Sequence, residues 1–135
     1  MKGFIAAAAV CAFGVCVPAL AHHSLSPYDV WSYQTVDGTV KRFEWTNPHA
    51  KLILVVADAH GRPLDWDLEG PGTSRLTSGG FKKDGIAYGD KIKVAYNPRR
   101  DNANGGYFIA VTTADGTTYA TDKYRQLNDE RRRGP

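Results

Sequence analysis

The chain has 135 residues, with 17 Lys or Arg, 14 Asp or Glu and a formal net charge of +3. This length suits one domain, and so small a charge gives no basis for a polyanionic partner. Both cysteines, Cys11 and Cys16, lie in an apolar N-terminal run, so no disulfide is expected in the rest of the chain.

Residues 1–21 are predicted to be a cleaved signal peptide. Lys2 gives a positive start, residues 4–17 carry no charge, and residues 19–21 read Ala-Leu-Ala, the small-x-small pattern that precedes signal-peptidase cleavage. The apolar run is short for a membrane span. We therefore expect cleavage between Ala21 and His22, and a periplasmic or secreted mature protein without a membrane span.

Residues 22–34 show no regular period and are predicted to form an extended arm laid on the domain. The domain itself is expected to be a β-barrel over residues 35–121. In its first strand, the inward-facing positions change parity between Val40 and Phe43, which requires a β-bulge, most simply at Lys41-Arg42. A long bent first strand is what a small closed barrel needs.

Two strands are predicted after the Asn47-Pro48 turn. Residues 51–57 are almost all apolar or branched, which is typical of a strand buried on both faces. Residues 64–69 alternate, so Leu64, Trp66 and Leu68 should point inward, and the three carboxylates between them outward as a solubilising edge.

The next segment is predicted to be a short helical cross-over, capped by Thr73 or Ser74 and ended by Gly79-Gly80. Strands should follow over residues 91–96 and 107–113. The first of these places three side chains inward, namely Ile92, Val94 and Tyr96.

Asp115-Gly116 predicts a hairpin that returns a short strand through Tyr119. Residues 122–135 are charged and are predicted to be a flexible tail with at most two turns of helix. The order of elements predicts an all-β fold: a small OB-fold-like barrel of five or six strands with a short helical cross-over. An immunoglobulin-like sandwich, which needs about seven strands, is the alternative.

Several motifs together resemble an uncharacterised family of small exported proteins of Gram-negative bacteria. The motifs are Ala21-His-His-Ser24, Gly38-Thr-Val with Trp45-Thr-Asn-Pro-His49, Trp66 with Glu69-Gly70, Gly89-Asp90-Lys91, and Asp115-Gly-Thr-Thr118. The resemblance implies export and a β-rich fold, and it brings no established activity. One departure is the cross-over, which reads Ser78-Gly-Gly-Phe81 where a basic segment and a Gly-Trp pair are expected.

The predicted mature N-terminus suggests a copper site. The free α-amine and the imidazole of His22 would form a bidentate nitrogen chelate, and one further imidazole would complete the three-nitrogen set that Cu(II) favours. This arrangement resembles the histidine brace of some exported copper proteins. His49 is the best candidate for the further ligand, His60 on a hairpin tip is a poorer one, and His23 offers a variant site. The structural alternative is that the two histidines are only a soluble start and that His49 hydrogen-bonds in the turn.

The alternative function is an OB-type module that binds a small anionic ligand or a peptide. Its candidate ligand-binding residues are Trp45, Lys51, Arg99 and Arg100. A purely structural accessory protein without metal is also consistent with the sequence. The partner is then a small molecule, a metal ion or a periplasmic protein, and no nucleic acid is expected because a strongly positive groove is lacking.

No catalytic residues are predicted. The chain has no Gly-x-Ser-x-Gly elbow, phosphate-binding loop or His-Glu-x-x-His zinc motif. Three alternating carboxylates on one strand are ordinarily a solubilising feature. The sequence therefore favours a binding or accessory protein over an enzyme.

Overall fold

The computed structural model describes residues 25–134, which contain six strands and two helices. Their bounds are β1 (Gln34–Glu44), β2 (Lys51–Ala57), β3 (Pro63–Glu69), α1 (Thr73–Ser78), β4 (Lys91–Pro98), β5 (Gly105–Thr112), β6 (Thr118–Ala120) and α2 (Asp122–Arg133). Neither helix in this part of the chain is long and apolar enough to cross a membrane.

β1 is the strand that joins the two halves of the sheet. Its first residues pair antiparallel with β4, and its later residues pair antiparallel with β2. The register with β2 shifts between Val40 and Arg42, so Lys41 is the extra residue of a β-bulge. The bulge predicted from the change of parity in this strand is confirmed.

The barrel closes through a parallel pairing of β3 with β5, in the register Asp67–Gly105, Leu68–Gly106 and Glu69–Tyr107. We call these three pairs the closing seam. Gly105 has a φ of +113°, and a Cβ there would lie 2.2 Å from the carbonyl oxygen of Asp67, so only glycine fits this position.

The strand order around the barrel is β1-β2-β3-β5-β4, with β6 added beside β5 and α1 in the connection from β3 to β4. A closed five-stranded barrel with a helix between its third and fourth strands has the OB-fold topology. The predicted fold class is therefore confirmed.

The barrel interior is filled by side chains from all five barrel strands. Phe108 is the largest fully buried residue, and Ile92, Val94 and Tyr96 point inward as predicted. Trp66 also faces this core, with its ring edge-on to that of Tyr96 at a centroid distance of 5.6 Å.

Two burial predictions for β2 and β3 are wrong. In β2, Leu52 and Leu54 are fully buried, but Ile53 and Val55 between them are only half-buried, because little packs on the outer face of this strand. In β3, Leu64 is 39% exposed, since it lies beside the hairpin at the end of the barrel.

The charged segment after residue 121 forms a longer helix than predicted. α2 has 12 residues, and the Thr121 hydroxyl accepts a hydrogen bond from the backbone N–H of Tyr124, which caps its first turn. Leu127 is buried in a second apolar cluster on the outside of β5, together with Tyr28 and Ile109. Tyr124 adds a ring contact with Tyr33, at a centroid distance of 5.3 Å, to the packing of Leu127. The charges on either side of these residues concealed the packing face in the sequence.

Candidate functional site

The Trp45-Thr-Asn-Pro-His49 segment forms the loop from β1 to β2, and its side chains fix the position of His49. Trp45 packs on the barrel core, edge-on to Phe43 with ring centroids 6.0 Å apart. The Thr46 hydroxyl donates a hydrogen bond of 2.9 Å to the carbonyl oxygen of His49. The loop that leads to His49 is therefore packed on the barrel through Trp45 and tied to the His49 backbone through Thr46.

Asn47 in the same loop caps α1. Its side-chain oxygen accepts a hydrogen bond of 2.9 Å from the backbone N–H of Thr73, 26 residues away in sequence. The residue at the N-cap position is Gly72, which has no side chain to offer. The predicted capping of this helix by Thr73 or Ser74 is therefore wrong, because the capping oxygen comes from a remote loop.

Glu69, the last residue of β3, receives two polar groups from different parts of the chain. Nδ1 of His49 lies 2.7 Å from Oε1 of Glu69, and the Tyr28 hydroxyl donates a hydrogen bond of 2.7 Å to Oε2. Tyr107 lies opposite Glu69 in the closing seam, and its ring centroid is 6.3 Å from that of His49 and 5.6 Å from that of Tyr28. We call these four residues the His49 cluster.

The two tyrosines of the His49 cluster are protonated over the whole neutral range. Burial, followed by the hydrogen bond to Glu69, raises the pKa of Tyr28 well above its ordinary value. Burial raises the pKa of Tyr107 to about 12, and the nearby charge of Arg75 acts in the opposite direction. Both phenols therefore keep a proton that can be donated, and Glu69 accepts that of Tyr28.

The carboxylate of Glu69 lies beside one nitrogen of the His49 imidazole. The 2.7 Å between Oε1 and Nδ1 is within the range of a charge-assisted contact between a carboxylate and an imidazole. Histidines that bind metal ions are commonly oriented in this way, by a carboxylate on the nitrogen that does not face the metal. The His49 side chain is about one fifth exposed, at 20%.

Among the predicted metal ligands, only His49 belongs to this cluster. His22 and His23 lie outside the described residues, and His60 is exposed in the β2–β3 hairpin, whose turn is held by Asp58. Within residues 25–134, no group of three or more His, Cys, Asp or Glu side chains is arranged to hold a metal ion.

Residues 9–108 match the sequence model of a family described as a family of unknown function, DUF6152. The chain belongs to this family. The match covers most of the chain, in agreement with the uncharacterised family that the motifs resemble.

No curated protein matches this DUF6152 protein. A solved structure similar to it is the mitochondrial single-stranded DNA-binding protein Rim1 of S. cerevisiae, with a TM-score of 0.47 and 8% identity, over 62% of this chain and 93% of that one.

The predicted ligand-binding residues of this DUF6152 protein do not share one surface feature. Trp45 is partly buried against the core, whereas Lys51 is exposed at the start of β2. Arg99 binds the carboxylate of Asp101 through two contacts of 2.9 and 2.7 Å, and Arg100 beside it is exposed. A ligand-binding role for these four residues stays a prediction.

Glu69 and Tyr28 are the residues of the cluster that sequence reasoning missed. Glu69 was expected to be an outward, solubilising carboxylate like Asp65 and Asp67, which are indeed exposed. Alternation along a strand shows which face a residue is on but not what covers that face, and here Tyr28 from the N-terminal arm covers it. The signal that could have found Glu69 is its place beside Gly70 in the motif that resembles the family.

Proposed function

We propose that this DUF6152 protein is an exported binding protein that takes up Cu(II) at a site shared by its mature N-terminus and His49. The α-amine and imidazole of His22 supply two nitrogens, and Nε2 of His49 supplies the third. Three nitrogens in one plane suit the tetragonal geometry of Cu(II). The imidazole of His23 is the alternative donor from the N-terminus.

The observation that carries this proposal is that Tyr28 and His49 contact the same carboxylate, that of Glu69. Tyr28 follows His22 by only six residues. An extended chain covers about 3.3–3.6 Å per residue, so six residues can span roughly 20 Å. Tyr28 is thus held by the same carboxylate as His49, and six residues of extended chain are long enough for the proposed mature N-terminus to reach the imidazole.

The position of Glu69 supports the same proposal in a second way. In metal sites, a carboxylate beside the nitrogen that does not bind the metal keeps the ring orientation and tautomer that the metal requires. Loss of such a carboxylate typically lowers metal affinity by about 10- to 100-fold. Glu69 is therefore a positioning residue of the proposed site, and its removal should weaken copper binding without removing a ligand.

The test starts from protein exported in its native compartment, with its N-terminus sequenced and bound metal measured. Cu(II) affinity is then compared, by competition with a chelator, between protein that starts at His22 and the same protein with one added N-terminal Ala. We expect the added residue and His49→Ala each to weaken binding by more than about tenfold, and Glu69→Gln by about tenfold. His60→Ala, which removes an exposed imidazole in the hairpin, is the matched control and should have no effect.

Electron paramagnetic resonance of the copper-loaded protein should show about three nitrogen donors, and one fewer in His49→Ala. A mature chain that starts elsewhere than His22, or equal affinity with and without the added Ala, would reject the proposal. In that case the protein would be an exported OB-type module without a copper site at its N-terminus.

A further inference from the structure

A cleft beside Tyr107 lies between α1 and the beginning of α2. The cleft has a volume of about 300 Å³ and is lined by both polar and apolar side chains. We call it the α1–α2 cleft. Its size is at the lower end of the range for small-molecule sites. We propose that it binds a small organic oxyanion, a carboxylate or phosphate carried on a compact apolar group.

More basic than acidic side chains line the α1–α2 cleft. Arg75 from α1 and Lys123 from α2 line it, and neither forms an ion pair with any residue between 25 and 134. The one acidic lining residue, Asp122, forms an ion pair of 2.7 Å with the guanidinium of Arg125. The Lys123 ammonium lies 4.7 Å from the centroid of the Trp31 ring, and the charge of Glu69 also acts on Tyr107. Arg75 is therefore the cation of the lining that has no ion-pair or cation–π partner among residues 25–134.

Tyr107 brings a hydroxyl group to the lining of the cleft. Its side chain is 8% exposed, it lines the cleft, and its hydroxyl forms no hydrogen bond with any described residue. A phenol hydroxyl can donate a hydrogen bond, and Arg75 lines the same cleft. An oxyanion in the cleft would thus meet a neutral donor and a planar guanidinium, the pair of groups that bind carboxylate and phosphate well.

The apolar lining decides which kind of anion fits. Pro71 and Ile109 are both buried and form apolar parts of the lining. An anion with a small apolar body would pack against these side chains and displace water from the cleft, whereas a free inorganic ion would leave the rest of the cleft filled with water. The inference does not depend on the copper site, because none of the groups that bind the anion is a proposed metal ligand.

The test is a titration of metal-free, ¹⁵N-labelled protein followed by NMR. The probes are benzoate, phenyl phosphate, inorganic phosphate and the neutral analogue benzamide. We expect amide shifts in α1 and in residues 121–124 with benzoate or phenyl phosphate, and the tighter of the two identifies the anionic group. No shifts with either, or equal shifts with benzamide, would overturn the proposal. Inorganic phosphate binding as tightly as phenyl phosphate would overturn the role of the apolar lining.

Charge-removing variants at two positions distinguish a specific binding site from a general effect of the protein's positive charge. Arg75→Gln should weaken binding by roughly tenfold, since it removes a charge-assisted hydrogen bond, and Tyr107→Phe by about threefold. Arg132→Gln removes the same charge from an exposed position far along α2, and it should change affinity by less than about twofold. Equal weakening by Arg75→Gln and Arg132→Gln would refute the site. Because Arg75 is exposed, its variant should keep the thermal unfolding curve of the parent protein.

Discussion

The hydrogen bond from Tyr28 to Glu69 should contribute measurably to stability, because it ties the N-terminal arm to the end of β3. Tyr28 is buried, the donor–acceptor distance is 2.7 Å, and the acceptor is an ionised carboxylate. Hydrogen bonds to charged groups contribute about 1.5–3 kcal/mol. The Glu69 side chain is 35% exposed, so water can replace part of the lost interaction, and the lower end of that range applies.

Tyr28→Phe should therefore lower the free energy of unfolding by about 1.5 kcal/mol at pH 7, as measured by urea denaturation. Glu69→Ala should cost about 2–3 kcal/mol, because it also leaves the buried Tyr28 hydroxyl without its acceptor. In the double variant, the two losses should overlap by about 1 kcal/mol or more.

The matched control is Tyr88→Phe, which removes the hydroxyl of a tyrosine that is 84% exposed. It should change stability by less than about 0.5 kcal/mol. If the losses in Tyr28→Phe and Glu69→Ala simply add in the double variant, the hydrogen bond does not hold the arm. The structural basis for bringing the N-terminus to His49 would then be gone as well.

Three other outcomes are expected. Asn47→Ala should cost about 1 kcal/mol in urea unfolding and Asn47→Asp much less, because only the first removes the oxygen that caps Thr73; equal losses would contradict the capping role. The folded-state pKa of Tyr107 is about 12, above its ordinary value of 10.0. The contribution of this group to the free energy of unfolding is therefore complete below pH 10 and is lost as the pH rises toward 12. Unfolding free energy should thus fall less steeply over that range in Tyr107→Phe, and parallel curves would contradict the shift. Gly105→Ala should cost more than about 2 kcal/mol in thermal unfolding, since its Cβ meets the β3 backbone. Gly116→Ala is the control and should cost about 1 kcal/mol, because Gly116 has a φ of +86° but open space around it. Similar losses in the two variants would argue against the close approach of Gly105 to β3.

The architecture of the barrel could be read from local patterns. The change of parity between Val40 and Phe43 requires a bulge, and the alternation of Ile92, Val94 and Tyr96 assigns one face to the core. Both are properties of consecutive residues in one strand. They survive in the folded protein because side-chain direction is set by the strand's own backbone.

The contacts that could not be predicted from the sequence are made by segments that meet only in the folded chain. Nothing near Glu69 in sequence indicates that Tyr28 will cover it, and nothing near Thr73 indicates that Asn47 will cap its helix. Leu127 stands among charged neighbours, so its burial on the outside of β5 is equally invisible. His49 was identified because it belongs to a distinctive motif, but its partner carboxylate was not.

Hydrogen exchange at the backbone amides of the closing seam can report whether a ligand is bound. The seam has three residue pairs, whereas β2 and β3 are joined by seven. Its amides should exchange with deuterium through a small local opening rather than through global unfolding. Glu69 and Tyr107 form the last pair of the seam, so a molecule held by the His49 cluster or the α1–α2 cleft makes that opening less favourable. Slower exchange at Gly105, Gly106 and Tyr107 would then report binding at either site, before the bound molecule itself is identified.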